Sequence, residues 1–189
     1  MPGRPHLSTE AASGRPAWLT RSSLTRKPVL LALAVVAALL VVLIVSVVSN
    51  GPVTIATPDL DDADQAACEA FTADLPTSIA GESVREIEPA DALGSAYGDP
   101  AIIVRCGVPV PADFDEASSS CEVANGVGWY VPPEEFDDQS ADVTLTAAGY
   151  RPVVEVTLPG GYRPDGPAAA IAQLAATVEE HLTLVENCN

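Results

Sequence analysis

The sequence predicts an α+β fold: a single N-terminal transmembrane helix, then a mostly antiparallel sheet flanked by an N-terminal and a C-terminal helix. Three observations carry this. Residues 29–48 form an unbroken apolar run. Several short β-rich segments are separated by turn residues, with Asn125-Gly126 the clearest turn. Two stretches of helical apolar spacing, one around Phe71 and one around Leu174, stand on either side of those segments.

The run from Val29 to Val48 holds twenty residues with no charge, proline or glycine, and fifteen of them are Leu, Ile or Val. At a rise of about 1.5 Å per residue, it covers roughly 30 Å, the hydrocarbon thickness of a bilayer. Those fifteen residues favour insertion by about 4 to 9 kcal/mol. A cleaved signal peptide would carry a shorter apolar region with a small-x-small site soon after it. Only Thr54-Ile55-Ala56 approaches such a site, and Cys68 lies too far downstream for a lipoprotein signal. The run therefore reads as an uncleaved signal anchor, and the lipid bilayer as its partner. Arg4, Arg15, Arg21, Arg26 and Lys27 precede it, and no lysine follows. The positive-inside rule makes this a single-pass protein of the cell membrane, N-terminus cytoplasmic and C-terminal domain extracytoplasmic.

Four regions follow: a disordered basic tail (residues 1–28), the span (29–48), a linker (49–58) and an acidic domain (59–189). The net charge of the whole chain is −17. Beyond residue 50 the asymmetry is stronger, with four arginines against twenty-five acids. Such a surface repels nucleic acid and anionic headgroups, so no nucleic-acid partner is expected. All four cysteines, Cys68, Cys106, Cys121 and Cys188, lie on the outer side. An even number in an oxidising compartment reads as two disulfides.

The domain's elements follow in order. A helix is expected from Thr57 as N-cap and Pro58 at its first position, with Cys68, Phe71 and Leu75 on one face, ending at Pro76. Residues 83–88 read as an exposed strand. After the turn Tyr97-Gly98-Asp99-Pro100, residues 101–106 read as the central strand, with Ile102, Val104 and Cys106 on one face and Ile103 and Arg105 on the other. Residues 107–119 read as loop. Residues 121–131 read as a hairpin turning at Asn125-Gly126, with Trp129 on its core face. An acidic loop carries Glu134, Glu135, Asp137 and Asp138. Residues 143–147 and 153–158 form a second hairpin around Gly149-Tyr150-Arg151-Pro152. The last helix starts near Asp165, its expected N-cap, and buries Ile171, Leu174, Ala175, Val178 and Leu182.

The anchor, the Cys68 helix, the segment running from Tyr97-Gly98-Asp99-Pro100 through Ala101-Ile102-Ile103-Val104-Arg105-Cys106-Gly107-Val108, and Gly126-Val127-Gly128-Trp129 together resemble an actinobacterial family of exported membrane proteins known as a domain of unknown function (thirty-five fifteen in its series). The resemblance covers most of residues 60–185. Tyr97 stands where the family usually has Trp. The resemblance implies pairing of Cys68 with Cys106 and of Cys121 with Cys188. It brings no activity.

The chemistry-bearing residues are sparse. A Ser-His-Asp site beyond the span would need His181, the one histidine there, and no G-x-S-x-G occurs. The acidic start at Asp59-Leu60-Asp61-Asp62-Ala63-Asp64 lacks the glycine and glutamate of a calcium loop. No cofactor, metal site or catalytic residue is predicted. Arg105 is the residue to watch, because a charge on a central apolar strand must be paired or exposed. Its expected partner is a carboxylate on a neighbouring strand. Its functional reading is a partner contact, together with Tyr97 and Trp129. The expected function is a non-enzymatic cell-envelope binding or accessory domain whose partner is a protein or wall component. The alternative is a cell-wall polymer-processing enzyme or its accessory subunit.

Overall fold

The computed structural model describes residues 26–49, 51–56, 58–115 and 121–188. The chain divides between Val48 and Ser49 into two compact units. In the first, helix α1 (Arg26–Ser49) contains the predicted span. Its described side chains run from residue 29 to residue 43 and are all exposed. Among the described residues no helix is long and apolar enough to cross a membrane; the described side chains of α1 stop short of the predicted residues 29–48. The tail expected at residues 1–28 lies, up to residue 25, outside the described residues, as does the expected cap Thr57.

The second unit begins with β1 (Val53–Thr54), α2 (Asp62–Ala73), β2 (Ser78–Ile79), β3 (Glu82–Arg85), β4 (Ile87–Glu88), β5 (Gly94–Tyr97) and β6 (Ile102–Val108). It continues with β7 (Cys121–Ala124), β8 (Val127–Tyr130), α3 (Glu134–Asp137), β9 (Val143–Thr146), β10 (Tyr150–Arg151), β11 (Val153–Leu158), a 3-10 turn (Gly160–Tyr162), α4 (Asp165–His181) and β12 (Thr183–Leu184). Eight strands form one sheet in the order β2-β3-β5-β6-β11-β9-β8-β7. All neighbours in it are antiparallel. Helices α2 and α4 pack on one face and close the core.

β6 is central because every second residue is apolar on the helix side. Ile102, Val104 and Cys106 are buried, while Ile103 and Arg105 are half-buried on the other face. Cys106 is disulfide-bonded to Cys68 on the buried face of α2, with Cα atoms 5.5 Å apart. Cys121 is bonded to Cys188. The Asn125-Gly126 turn has positive φ at both residues, 49° and 92°, as the dipeptide predicts. The apolar stripe of α4 is buried at Ile171, Leu174, Ala175 and Val178, as its spacing predicts.

Several expectations need correction. Within the linker expected at residues 49–58, residues 53–55 are instead part of the domain: β1 pairs in parallel with β4, and Ile55 is buried. The guanidinium of Arg85 reinforces this by donating to the Gly51 carbonyl at 2.9 Å. The first domain helix starts at Asp62, and its cap is Asp61, whose carboxylate accepts from the amides of Ala63 and Asp64. Four aspartates in a row of six residues compete for that position, and the one three residues before Asp64 satisfies the free amides. Asp165 does not cap α4; it is the first helical residue, and Pro164 precedes it without a side-chain cap. The acidic loop contains the short helix α3.

Candidate functional site

The three residues expected to meet a partner do not share a surface. Tyr97 and Trp129 are both 0 % exposed and belong to the core. Tyr97 donates its hydroxyl to the Pro76 carbonyl at 2.9 Å, and burial raises its pKa above the ordinary phenol value. Arg105 lies on the face away from the helices, paired with Glu155 of β11. This is the structural role anticipated for it, a carboxylate from the neighbouring strand. The four cysteines are placed as two disulfides.

The structure directs attention elsewhere. Where α4 meets the β8–β9 side of the sheet, the layers leave a cavity of about 200 Å³. Its inner wall is core: Val131, Val143, Leu145 and Ile171 line it, and all four are buried. Its outer lining is Phe136 of α3, Gln139, Glu122 of β7, and Pro164, Pro167 and Ala168 at the start of α4. Phe136 is 43 % exposed, so the cavity is continuous with solvent beside an aromatic ring.

Three sets of bonds hold that outer wall. Arg163 donates through Nη1 to the carbonyls of Asp138 and Ala141, and through Nη2 to that of Glu135. Glu135 accepts from the Thr144 amide at 2.6 Å, which ties α3 to β9. Burial raises the pKa of Glu135, and the Thr144 amide and the Arg163 charge partly offset the rise. Asp138 accepts from both the hydroxyl and the amide of Ser140, and those bonds lower its pKa. The guanidinium of Arg163 is thus committed to carbonyls, with its Nε–H buried and without a hydrogen-bond partner. A lone aromatic inside an acidic run, Glu134-Glu135-Phe136-Asp137, was the one sequence signal for this wall.

A cavity of this size takes one ring-sized group. A closed cavity of about 150 Å³ holds benzene, whereas drug-sized ligands need about 300–1,000 Å³. Its apolar back, and a rim that sets Phe136, Pro164, Pro167 and Ala168 beside the polar Glu122, Gln139 and Arg163, match what a bulky apolar side chain meets at a binding hot spot. A separate cluster lies where α2 and α4 end: Asp74, Glu180 and His181 bring one potential ligand atom each within 4.8 Å of one another.

Fold and site together define a class: a two-layer α+β domain, braced by two disulfides, with a side-chain-sized cavity beside its last helix. The chain belongs to the family described as Protein of unknown function (DUF3515), which matches residues 29–186. No curated protein and no solved structure matches it.

Proposed function

We propose that this protein is a membrane-anchored, extracytoplasmic binding domain of the cell envelope, which seats one bulky apolar side chain of a protein partner in the cavity beside Phe136. The cavity is the observation that carries the reading: about 200 Å³, backed by core residues and rimmed by an exposed aromatic. Its size favours a side-chain anchor over a groove for several sugar rings of a wall polymer. The acidic surface, four arginines against twenty-five acids beyond residue 50, favours a partner with basic residues flanking its anchor. The uncharged run at residues 29–48, with the basic residues before it and both disulfides after it, supports the anchor and its orientation.

The test is photo-crosslinking in intact cells, with a crosslinking residue in place of Phe136 in the full-length protein. One discrete adduct with an envelope protein is expected. Ala168→Trp, which fills the cavity from its exposed rim, is expected to abolish the adduct while leaving the exported level unchanged. An adduct that survives Ala168→Trp, or that forms equally from a crosslinker at Asp91, an exposed residue between β4 and β5 that does not line the cavity, refutes the cavity as the docking point.

A further inference from the structure

His181 is the only histidine beyond the apolar run, and the fold brings it to a carboxylate 107 positions away. Its Nε2 lies 2.7 Å from Oδ2 of Asp74. Asp74 is the C-cap of α2, and His181 is the last residue of α4. Glu180 adds a second carboxylate, so a nitrogen and two oxygens stand within 4.8 Å of one another. Asp74 and Glu180 are exposed, while the His181 side chain is mostly covered.

We propose that Asp74, Glu180 and His181 form a zinc site that clips the C-terminal ends of α2 and α4 together. The donor set fits that ion. One imidazole and two carboxylates make three protein ligands, which leaves a fourth tetrahedral position for water or for a group from another molecule. Calcium and magnesium take oxygen ligands, so the imidazole selects a transition metal over them. Tetrahedral zinc, with bonds of about 2.0–2.1 Å, holds its ligand atoms about 3.3 Å apart. The Asp74–His181 separation must open by a few tenths of an ångström, and the Glu180 carboxylate must close in. Asp74 and Glu180, both exposed, have room to rotate. Two helix C-termini converge here as well, and their partial negative charge favours a cation. Zinc would replace the direct histidine–carboxylate bond by two bonds to one ion. The site stands apart from the cavity and does not depend on the binding function proposed for it.

The test is zinc titration by calorimetry and thermal melting of the purified full-length protein in detergent, without reductant. One saturable zinc per chain is expected. Zinc at a hundredfold above Kd is expected to raise Tm by about 5–10 °C, and millimolar calcium or magnesium to leave it unchanged. His181→Ala and Asp74→Asn remove both responses. Glu180→Gln, an exposed change that leaves the His181–Asp74 contact in place, weakens zinc binding at least tenfold and serves as the control should the other two fail to fold. Zinc binding that persists in the variants assigns the metal to the acidic surface at large and overturns the site, as does no saturable binding by the parent protein.

Discussion

Arg105 and Glu155 face each other directly across the two central strands, and the Arg105 guanidinium donates to the Glu155 carboxylate. The pair sits on the sheet face that α2 and α4 leave open. Its members are unequally covered: the Arg105 side chain is 38 % exposed and that of Glu155 is 16 %. Removing one partner therefore has different consequences depending on which remains. Arg105→Ala strands a mostly covered carboxylate, whereas Glu155→Ala leaves a guanidinium that can turn to water. We expect Arg105→Ala to cost about 1–3 kcal/mol and Glu155→Ala measurably less. The double variant should cost less than the two single losses added together. Urea denaturation followed by tryptophan fluorescence measures all three, and additive losses would show that the pair is not coupled.

The C-terminal segment is a strap over two glycines. A Cβ at Gly128 would land on the Cys188 carbonyl, and one at Gly149 on the Glu186 carbonyl. β12 pairs with β10, the amides of Val185 and Glu186 donate to the Gly149 carbonyl, and Arg151 bonds Glu186 at 3.0 Å. Backbone on the far side of each clash cannot yield as a side chain end would. Gly128→Ala and Gly149→Ala are each expected to cost about 1–3 kcal/mol. They should also speed reduction of the Cys121–Cys188 bond relative to Cys68–Cys106, as read by timed thiol labelling. Unchanged reduction rates would mean that the strap does not protect its disulfide.

The two disulfides differ less in the loops they close than in where they lie. Their separations are 38 and 67 residues. On the chain-entropy model these loops are worth about 3.9 and 4.4 kcal/mol, a difference too small to decide the order. Burial decides it: Cys68 and Cys106 are in the main core, while Cys121 is half-buried at the sheet edge. Replacing Cys68 and Cys106 by alanine opens a gap between α2 and β6 in addition to freeing the loop. That pair of changes is expected to lower Tm more than alanine at Cys121 and Cys188. The opposite order would show that the terminal strap, rather than the α2–β6 contact, limits stability.

Patterns that repeat within one element were legible in the sequence. The alternation in β6 and β11, the Asn125-Gly126 turn and the stripe of α4 each depend on neighbours along the chain. β5 is not legible in the sequence because Gly94-Ser95-Ala96-Tyr97, buried at every position, shows no alternation. Its small residues are there for close approach: a Cβ on Gly94 would meet the Val104 carbonyl of β6. β1 is only two residues long, and what makes it a strand is a partner more than thirty residues away. The same reason hid the cavity. Its walls come from β7, β9, α3, α4 and the segments beside them, and no local pattern says where such elements fail to meet. The paired role of Arg105 could be anticipated because a charge on a buried strand needs a countercharge. The alternation in β8 puts Trp129 on the core face, where the structure has it, but aromatic residues suit cores and binding surfaces alike, so residue type alone does not separate Trp129 or Tyr97 from a partner contact.

Burial of Glu135 gives the domain a pH dependence whose sign follows from its raised pKa. Burial raises its folded pKa above the ordinary 4.5, so folding favours its protonated form. Between 4.5 and that raised value, the folded state holds a proton that the unfolded chain has lost. Stability therefore falls as pH rises through this window, and the loss is complete above it. Glu135→Gln removes the charge and keeps a carbonyl oxygen to accept from the Thr144 amide. The variant is expected to be more stable than the parent at pH 7 to 8. The gain should shrink as pH falls and vanish below about 4.5, where the parent carboxyl is neutral in both states. Urea denaturation of the two proteins from pH 4 to 8 reads this directly. A gain independent of pH would point to packing rather than charge, and a loss at pH 7 would mean that the Arg163 guanidinium stabilises the carboxylate more than burial opposes it.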